Sequence, residues 1–375
     1  MGMIIRKTVR GSYKNVAKPL LFRMHPDEAH SAMIVGAKFL SRTRLTRILS
    51  GMAYKHPMLE QTVAGIAFKN PVGLSAGLDK NYDLPPIIKR IGMGFEIGGS
   101  MTAKVCRGNP KPWFHRLPEE KSIVVHVGLA NAGARASLKK IAHYPASLWR
   151  DFPLSISVAK TNNKANASDE EAIEDYCKSL RLIEEKNASA MVEINISCPN
   201  TYGGEPFTTP ERLENLMSAI DTIGLTRPVF VKMPTDKTWT EFRQLLAVLA
   251  KHHVEGVTIG NLMKDRAKLK HPEALRSAVK GGLSGLPAQQ VTTDLIRQTY
   301  HAYRDRFVII GVGGIFTAED AYAKIRAGAH LVALVTALMF EGPQVVGEIN
   351  EGLVRLLKKD GFSSIAEAVG ADHKA

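Results

Sequence analysis

Residues 193–201 read EINISCPNT, so a thiol, Cys198, stands where an alternating apolar segment ends, flanked by the amides of Asn195 and Asn200. A free thiol titrates near about 8.5, many units closer to neutrality than a serine hydroxyl, and a cysteine so placed can take a proton from an activated carbon. The other cysteines read as inert, Cys106 in a polar loop and Cys177 on a helical pattern. No CxxC or Cys/His spacing occurs, which argues against a zinc site and a disulfide framework and fits a reducing compartment. Lysines also mark segment ends: Lys80 beyond PVGLSAG, Lys160 closing LSISVAK, and Lys232 in VFVKMP. Burying a lysine there is costly without an anionic partner. Lys232 therefore suits a flavin, whose reduced form carries negative charge near N1 and the C2 oxygen. Gly313 and Gly314 in GVGG, with Thr336 in VTA, suit a phosphate, since such turns present backbone N–H groups. A Rossmann fingerprint is absent, which argues against a nicotinamide dinucleotide site.

These residues need a scaffold that gathers segment ends. Eight short β-branched runs supply one, at 71–77, 95–100, 154–160, 192–198, 229–234, 256–261, 308–314 and 331–337. Amphipathic patterns lie between most of them, among them 169–186, 209–224 and 317–328. Near-continuous apolar strands alternating with helices imply a parallel sheet covered on both faces, and eight of them an α/β fold of the (β/α)₈ barrel type, with reactive groups at the carboxyl ends of the strands. A ninth run, 122–131, follows a stretch with no helix long enough for a crossover and reads as part of an elaborated loop above the barrel. Residues 61–375 are assigned to the barrel. Residues 1–60 form a small helical extension, with helices expected around 14–24 and 28–49.

The chain carries a net charge of +14, and residues 1–60 hold +8 of it, from eleven Lys/Arg against three Asp/Glu. That density suits an anionic lipid surface or a nucleic acid, and equally a solvated basic face. No run of 18 uncharged apolar residues occurs, and the charged start lacks a signal-peptide core, resembling a surface-lying amphipathic segment instead. In the second expected helix Met33, Ala37 and Leu40, with Arg42, Arg44 and Arg47, fit either a packing helix with a solvated end or a lid.

NPVGLSAGLDKN (70–81), GNPKPWFHRLPEE (108–120), INISCPNT (194–201), GGLSG (281–285) and IIGVGGIFTAEDAYAKIRAGAHLV (309–332) together resemble dihydroorotate dehydrogenases, FMN-containing (β/α)₈ barrel enzymes, over residues 19 to 373. HPDEAH (25–30) and GFSSIAEAVGADHK (361–374) resemble the membrane-associated, quinone-reducing class. The resemblance implies that Lys80, Asn131, Asn195, Asn200 and Asn261 hold the pyrimidine substrate. It implies that Ala76, Gly77, Ser100, Ser157, Asn195, Lys232, Gly285, Gly313, Gly314, Val335 and Thr336 line the FMN. Cys198 would remove the C5 proton while hydride leaves C6 for flavin N5, and His30 and Arg116 match positions near the quinone path. Cysteine at 198 is typical of the soluble classes, so a quinone-class body carries a soluble-class base.

Other positions depart from the family's pattern. Val125 and Ala130 stand in VHVGLAN where a pattern like NRMGFNN has asparagines, Leu262 replaces a hydroxyl residue, Ser157 an asparagine, and Val335 a tyrosine beside the quinone path. The expectation is therefore an FMN-dependent oxidoreductase acting on dihydroorotate in pyrimidine biosynthesis. Its partner would be a quinone, with no metal and no nucleic acid. It would be cytoplasmic, with residues 1–50 available to an anionic inner membrane face. Two alternatives stay open: the same flavin chemistry on another small substrate, and a non-catalytic basic barrel suggested by the charge alone.

Overall fold

The computed structural model describes all residues except Met1, Arg42, Arg44, Leu45, Ala167, Gly203, Arg276, Ser277 and Ala375. Eight parallel strands close into a barrel: β1 (Val72–Leu74), β2 (Phe95–Met101), β3 (Leu154–Val158), β4 (Met191–Asn195), β5 (Val229–Met233), β6 (Gly256–Ile259), β7 (Val308–Val312) and β8 (Leu331–Leu334). Each falls on one of the eight apolar runs, because a strand buried on both faces leaves its mark as an unbroken apolar stretch. Helices follow in turn on the outside, including Asp169–Lys186, Pro210–Asp221, Gln289–Tyr303, Ala318–Arg326 and Val345–Lys359. Polar starts fix their entry points: Thr317 and Asp320 form a reciprocal capping box that begins Ala318–Arg326.

The amino end of the barrel is sealed. A hairpin of Gln61–Val63 and Ile66–Phe68 lies under it, with Val63 and Phe68 packed on Phe95, Ile97, Met191, Phe230 and Ile310. Phe68 and Phe95 meet edge to face, centroids 5.4 Å apart. Only the carboxyl end remains for a ligand.

The run at 122–131 does lie outside the barrel, and it forms more than a loop. Strand Ser122–Val125 pairs antiparallel with Phe114–Leu117 on one side and Gly282–Gly285 on the other, making a three-stranded sheet.

The amino-terminal helices differ from the expected bounds. Helix α1 (Gly2–Ser12) continues through a π turn, Tyr13–Ala17, into α2 (Lys18–Arg23). The widened turn precedes Pro19, which has no N–H to offer the carbonyl four residues back and whose ring would strike it. The helix starts twelve residues earlier than its expected start at 14, because its first half is docked on the barrel. Buried Arg6 pairs with Glu351 at 2.7 Å, and Gly347 presents bare backbone to it, where a Cβ would stand 2.8 Å from Arg6 Cδ. Tyr13 donates to Met339 O at 2.7 Å, and Lys14 pairs with Glu341. Helix α3 (Pro26–Ser41) ends eight residues short of the expected 49. Of the arginine cluster, Arg42 and Arg44 fall outside the described residues, as does the side chain of Arg47. Among the described residues no helix is long and apolar enough to cross a membrane.

Candidate active site

The carboxyl ends of the strands open on a cavity with about 1270 Å³ of empty space, its mouth included. That is room for a cofactor and a small substrate together. Its floor is set by neighbouring strands. Asn195, closing β4, donates to Ser100 Oγ at 2.8 Å, and Ser100 meets Ser157 Oγ at 2.9 Å. Ser157 is wholly buried and does not reach the cavity wall; it orients Ser100, which does.

Lys232 on β5 lies beside Asn195 and is 4% exposed, and among the described residues no acceptor takes a hydrogen bond from its Nζ. A closed-in ammonium without a protein acceptor calls for an anionic ligand. Gly285, Gly313, Gly314, Val335 and Thr336 line the same cavity, Gly313 and Gly314 following β7, two strands along the barrel from β5. At Gly314 (φ +67°) a Cβ would stand 2.3 Å from Gln289 Cβ, and the Gln289 amide binds the Gly314 carbonyl at 2.8 Å, so the turn is held with its backbone bare. Ala76 and Gly77 complete the lining beside Ser100.

Cys198 is half-buried on the loop after β4 and faces the same cavity. Burial pushes its thiol up to about 11; a hydrogen bond from the Asn200 backbone and the charge of Lys232 oppose this, and Glu205 adds to it. The value expected for a free thiol therefore does not hold here. The loop is anchored by amides on neighbouring segments: Asn109 donates to Asn200 O at 3.0 Å, and Asn162 Oδ1 accepts from Tyr202 N at 2.6 Å. Lys160 donates to Tyr202 O at 2.9 Å and Asn166 O at 3.2 Å, which makes it an anchor of the loop and not a cavity group. The side chain of Asn200 donates to Val125 O at 2.8 Å and lies 3.3 Å from His126 Nδ1, tying the loop to the outer sheet.

Asn261 reaches the cavity with its amide bound to Ser197 O and Oγ, each at 2.7 Å. Asn131 does not reach it. Its amide is engaged with Thr102 Oγ1 and Leu129 O, both at 2.8 Å, and accepts from Gly133 N at 2.8 Å. The facing wall is apolar, built from Val125, Val127, Leu129, Ala130 and Leu262.

Lys80 is half-buried at the rim, and desolvation lowers it to about 8 against the pull of Asp79 and Asp27. Its Nζ is 3.4 Å from His30 Nε2 and 5.4 Å from the centre of the Phe114 ring. Burial, then the charges of Lys80 and Lys111, lower His30 to about 3, so the imidazole is neutral and accepts from the ammonium. Beyond them a second cavity of about 1030 Å³ lies under α2 and α3, with an almost wholly apolar lining that includes Phe22, Met33, Ile34 and Ile87. The two cavities share His30, Leu78, Phe114, Ile123 and Met339 as a wall. Arg116 borders only the second, where its guanidinium binds the carbonyls of Leu21, Phe22 and Met24 at the end of α2.

The family model described as Dihydroorotate dehydrogenase matches residues 58–357. Curated relatives named "Dihydroorotate dehydrogenase (quinone)" include one from Haloarcula marismortui, 34% identical over 363 residues, covering 96% of this chain and 99% of the relative. Another, from Deinococcus radiodurans, is 35% identical over 373 residues, covering 94% and 98%. A crystal structure of DHODH from Eimeria tenella in complex with ferulenol superposes with a TM-score of 0.81 at 26% identity, covering 95% of this chain and 99% of that one.

Cys106 and Cys177 are buried, so Cys198 is the thiol open to reagents. Its alkylation by iodoacetamide is expected to quicken about tenfold per pH unit from pH 7 to 10, as the thiolate fraction does. Mass spectrometry of the labelled peptide reads this, and a rate that levels off by pH 9 would contradict the assigned environment.

Proposed function

The chain belongs to the dihydroorotate dehydrogenase family, and from that premise we propose that it oxidises dihydroorotate to orotate on a bound FMN and passes the electrons to a quinone. The observation that carries the reading is that Cys198, Lys232, Asn195, Asn200 and Asn261 meet on one cavity. The residues fit the cofactor: Lys232 offers an unshared cation, Ser100 and Asn195 offer polar atoms beside it, and the Gly313–Gly314 turn and Thr336 leave backbone free for a phosphate. FMN, when bound, supplies the acceptor for a hydride.

The chain's own groups do the rest. Asn200 and Asn261 exchange their loop contacts for the polar edge of the substrate, and the Lys80 ammonium offers it a charged donor. Cys198, as thiolate, takes the C5 proton while C6 gives up its hydride, and the thiol later returns that proton to solvent. Because the folded thiol titrates near 11, the reactive thiolate is scarce at neutral pH, and the proton-transfer step quickens as pH rises towards that value. Quinone access is best supported by the second, apolar cavity and the wall it shares with the first.

A second reading rests on the apolar wall. Val125 and Leu262 offer no side-chain hydrogen bond where the family's substrate receives one, a difference of about 1–3 kcal/mol per lost partner. The same chemistry on a less polar dihydro compound fits that wall. Anaerobic mixing with dihydroorotate is expected to bleach the flavin of the wild type, and Cys198→Ala to slow this by about a hundredfold or more. Failure of the wild type to bleach, with bleaching gained by Val125→Asn, would move the assignment to the second reading.

The amino-terminal segment also supports docking on an anionic lipid surface. Met3, Ile4, Val16 and Leu20 are exposed beside Lys7 and Arg10. Co-sedimentation with phosphatidylglycerol vesicles is expected to weaken several-fold in the Ile4→Asp, Leu20→Asp double variant. Equal binding by both proteins would contradict this docking mode.

A further inference from the structure

Lys324 lies on helix Ala318–Arg326 and is 0% exposed. Its Nζ donates to Thr292 Oγ1 at 2.6 Å, Thr293 Oγ1 at 2.9 Å and Gln289 O at 3.2 Å, all neutral acceptors. Among the described residues no carboxylate stands within ion-pair distance. The acidic groups that act on it are Asp320 on its own helix and Asp294 on Gln289–Tyr303, and both are engaged elsewhere. Asp320 accepts from Gln289 Nε2, Phe316 N and Thr317 N; Asp294 accepts from Gln290 and Arg297. His330, just before β8, is kept neutral by burial. Helix Val345–Lys359 brings Arg355, which is paired with Glu319. A buried ammonium is usually matched by a carboxylate or gives up its proton. This one is solvated by hydroxyls, and burial lowers it to about 7.

Its position gives that arrangement a use. A Cβ on Gly313 would stand 3.1 Å from Thr292 Oγ1, and one on Gly311 would stand 3.4 Å from Lys324 Cδ. Lys324 therefore packs behind the Gly313–Gly314 turn, with the Thr292 hydroxyl, which donates to Ala288 O at 2.8 Å, lying between the ammonium and Gly313.

We propose that Lys324 is a positioning residue for the cofactor's phosphate, a buried cation that acts through Thr292 and the glycine turn without touching the ligand. The inference rests on the reading of that turn as the phosphate site. A phosphate dianion in this poorly solvated setting favours the ammonium, and the ammonium reciprocally favours the dianion. The sign of the pH dependence follows. Above pH 7 the free protein increasingly holds a neutral amine, so phosphate binding takes up a proton, and affinity falls as pH rises until the bound-state value is passed. Riboflavin, which has the ring but no phosphate, is exempt and serves as the internal reference.

The test is titration of FMN and of riboflavin into flavin-free protein at pH 7 and pH 9, for the wild type and Lys324→Met. The ratio of FMN to riboflavin affinity is expected to fall about tenfold across that range in the wild type, and to be about tenfold lower and flat in the variant. Calorimetry of the wild type at pH 8 in buffers of different ionisation enthalpy should show proton uptake with FMN and none with riboflavin, which keeps the test independent of the variant's folding. Equal weakening of both ligands in Lys324→Met, the signature of a helix-to-helix staple, would overturn the proposal. So would preference for FMN without proton uptake, with the phosphate site itself left standing. A wild type that does not prefer FMN to riboflavin would overturn the phosphate site and the proposal with it.

Discussion

An ammonium that faces a narrow cavity without a protein acceptor favours an anionic ligand, and among the described residues Lys232 is in that position at the floor of the cavity. Much of the site can be understood from that constraint. The strand ends beside it carry Asn195 and Ser100, which present polar atoms to a ligand and no competing negative charge. Two strands along the barrel the glycine turn leaves its backbone bare, and Lys324 stands behind it. A ligand that is planar, polar at its edges and negative at two separated places answers all of these features at once.

The barrel itself was legible because its strands are buried on both faces, and the eight apolar runs coincide with the eight strands. The outer sheet was legible only in part: the run at 122–131 marked its central strand, whereas Phe114–Leu117 and Gly282–Gly285, the latter about 160 residues away, leave no such run. The helix at Gly2–Ser12 was missed for a related reason: its place is set by Arg6 reaching Glu351 and by bare backbone at Gly347, neither of which local pattern reveals.

Within the site, residue type was easier to read than direction. Cys198, Lys80 and Lys232 reach the cavity, whereas the Asn131 amide turns into its own loop and Ser157 stays beneath the floor. Lys324 drew no notice in the sequence, because a lysine in a helical pattern reads as a solvated face until the hydroxyls around it are seen. The thiol is the clearest instance of environment overriding type, moved by burial from the ordinary cysteine range to about 11. The link from Lys80 to His30 was equally invisible, yet it joins the polar cavity to the apolar one through a single contact of 3.4 Å.

The central claim is that the unshared charge of Lys232 is the partner of a reduced flavin. Its most direct test is the two-electron midpoint potential of bound FMN at pH 7 in the wild type and in Lys232→Met. The account predicts a potential lower in the variant by about 30 mV or more, a tenfold loss of preference for the reduced form. An unchanged potential, with FMN bound equally well by both proteins, would contradict it.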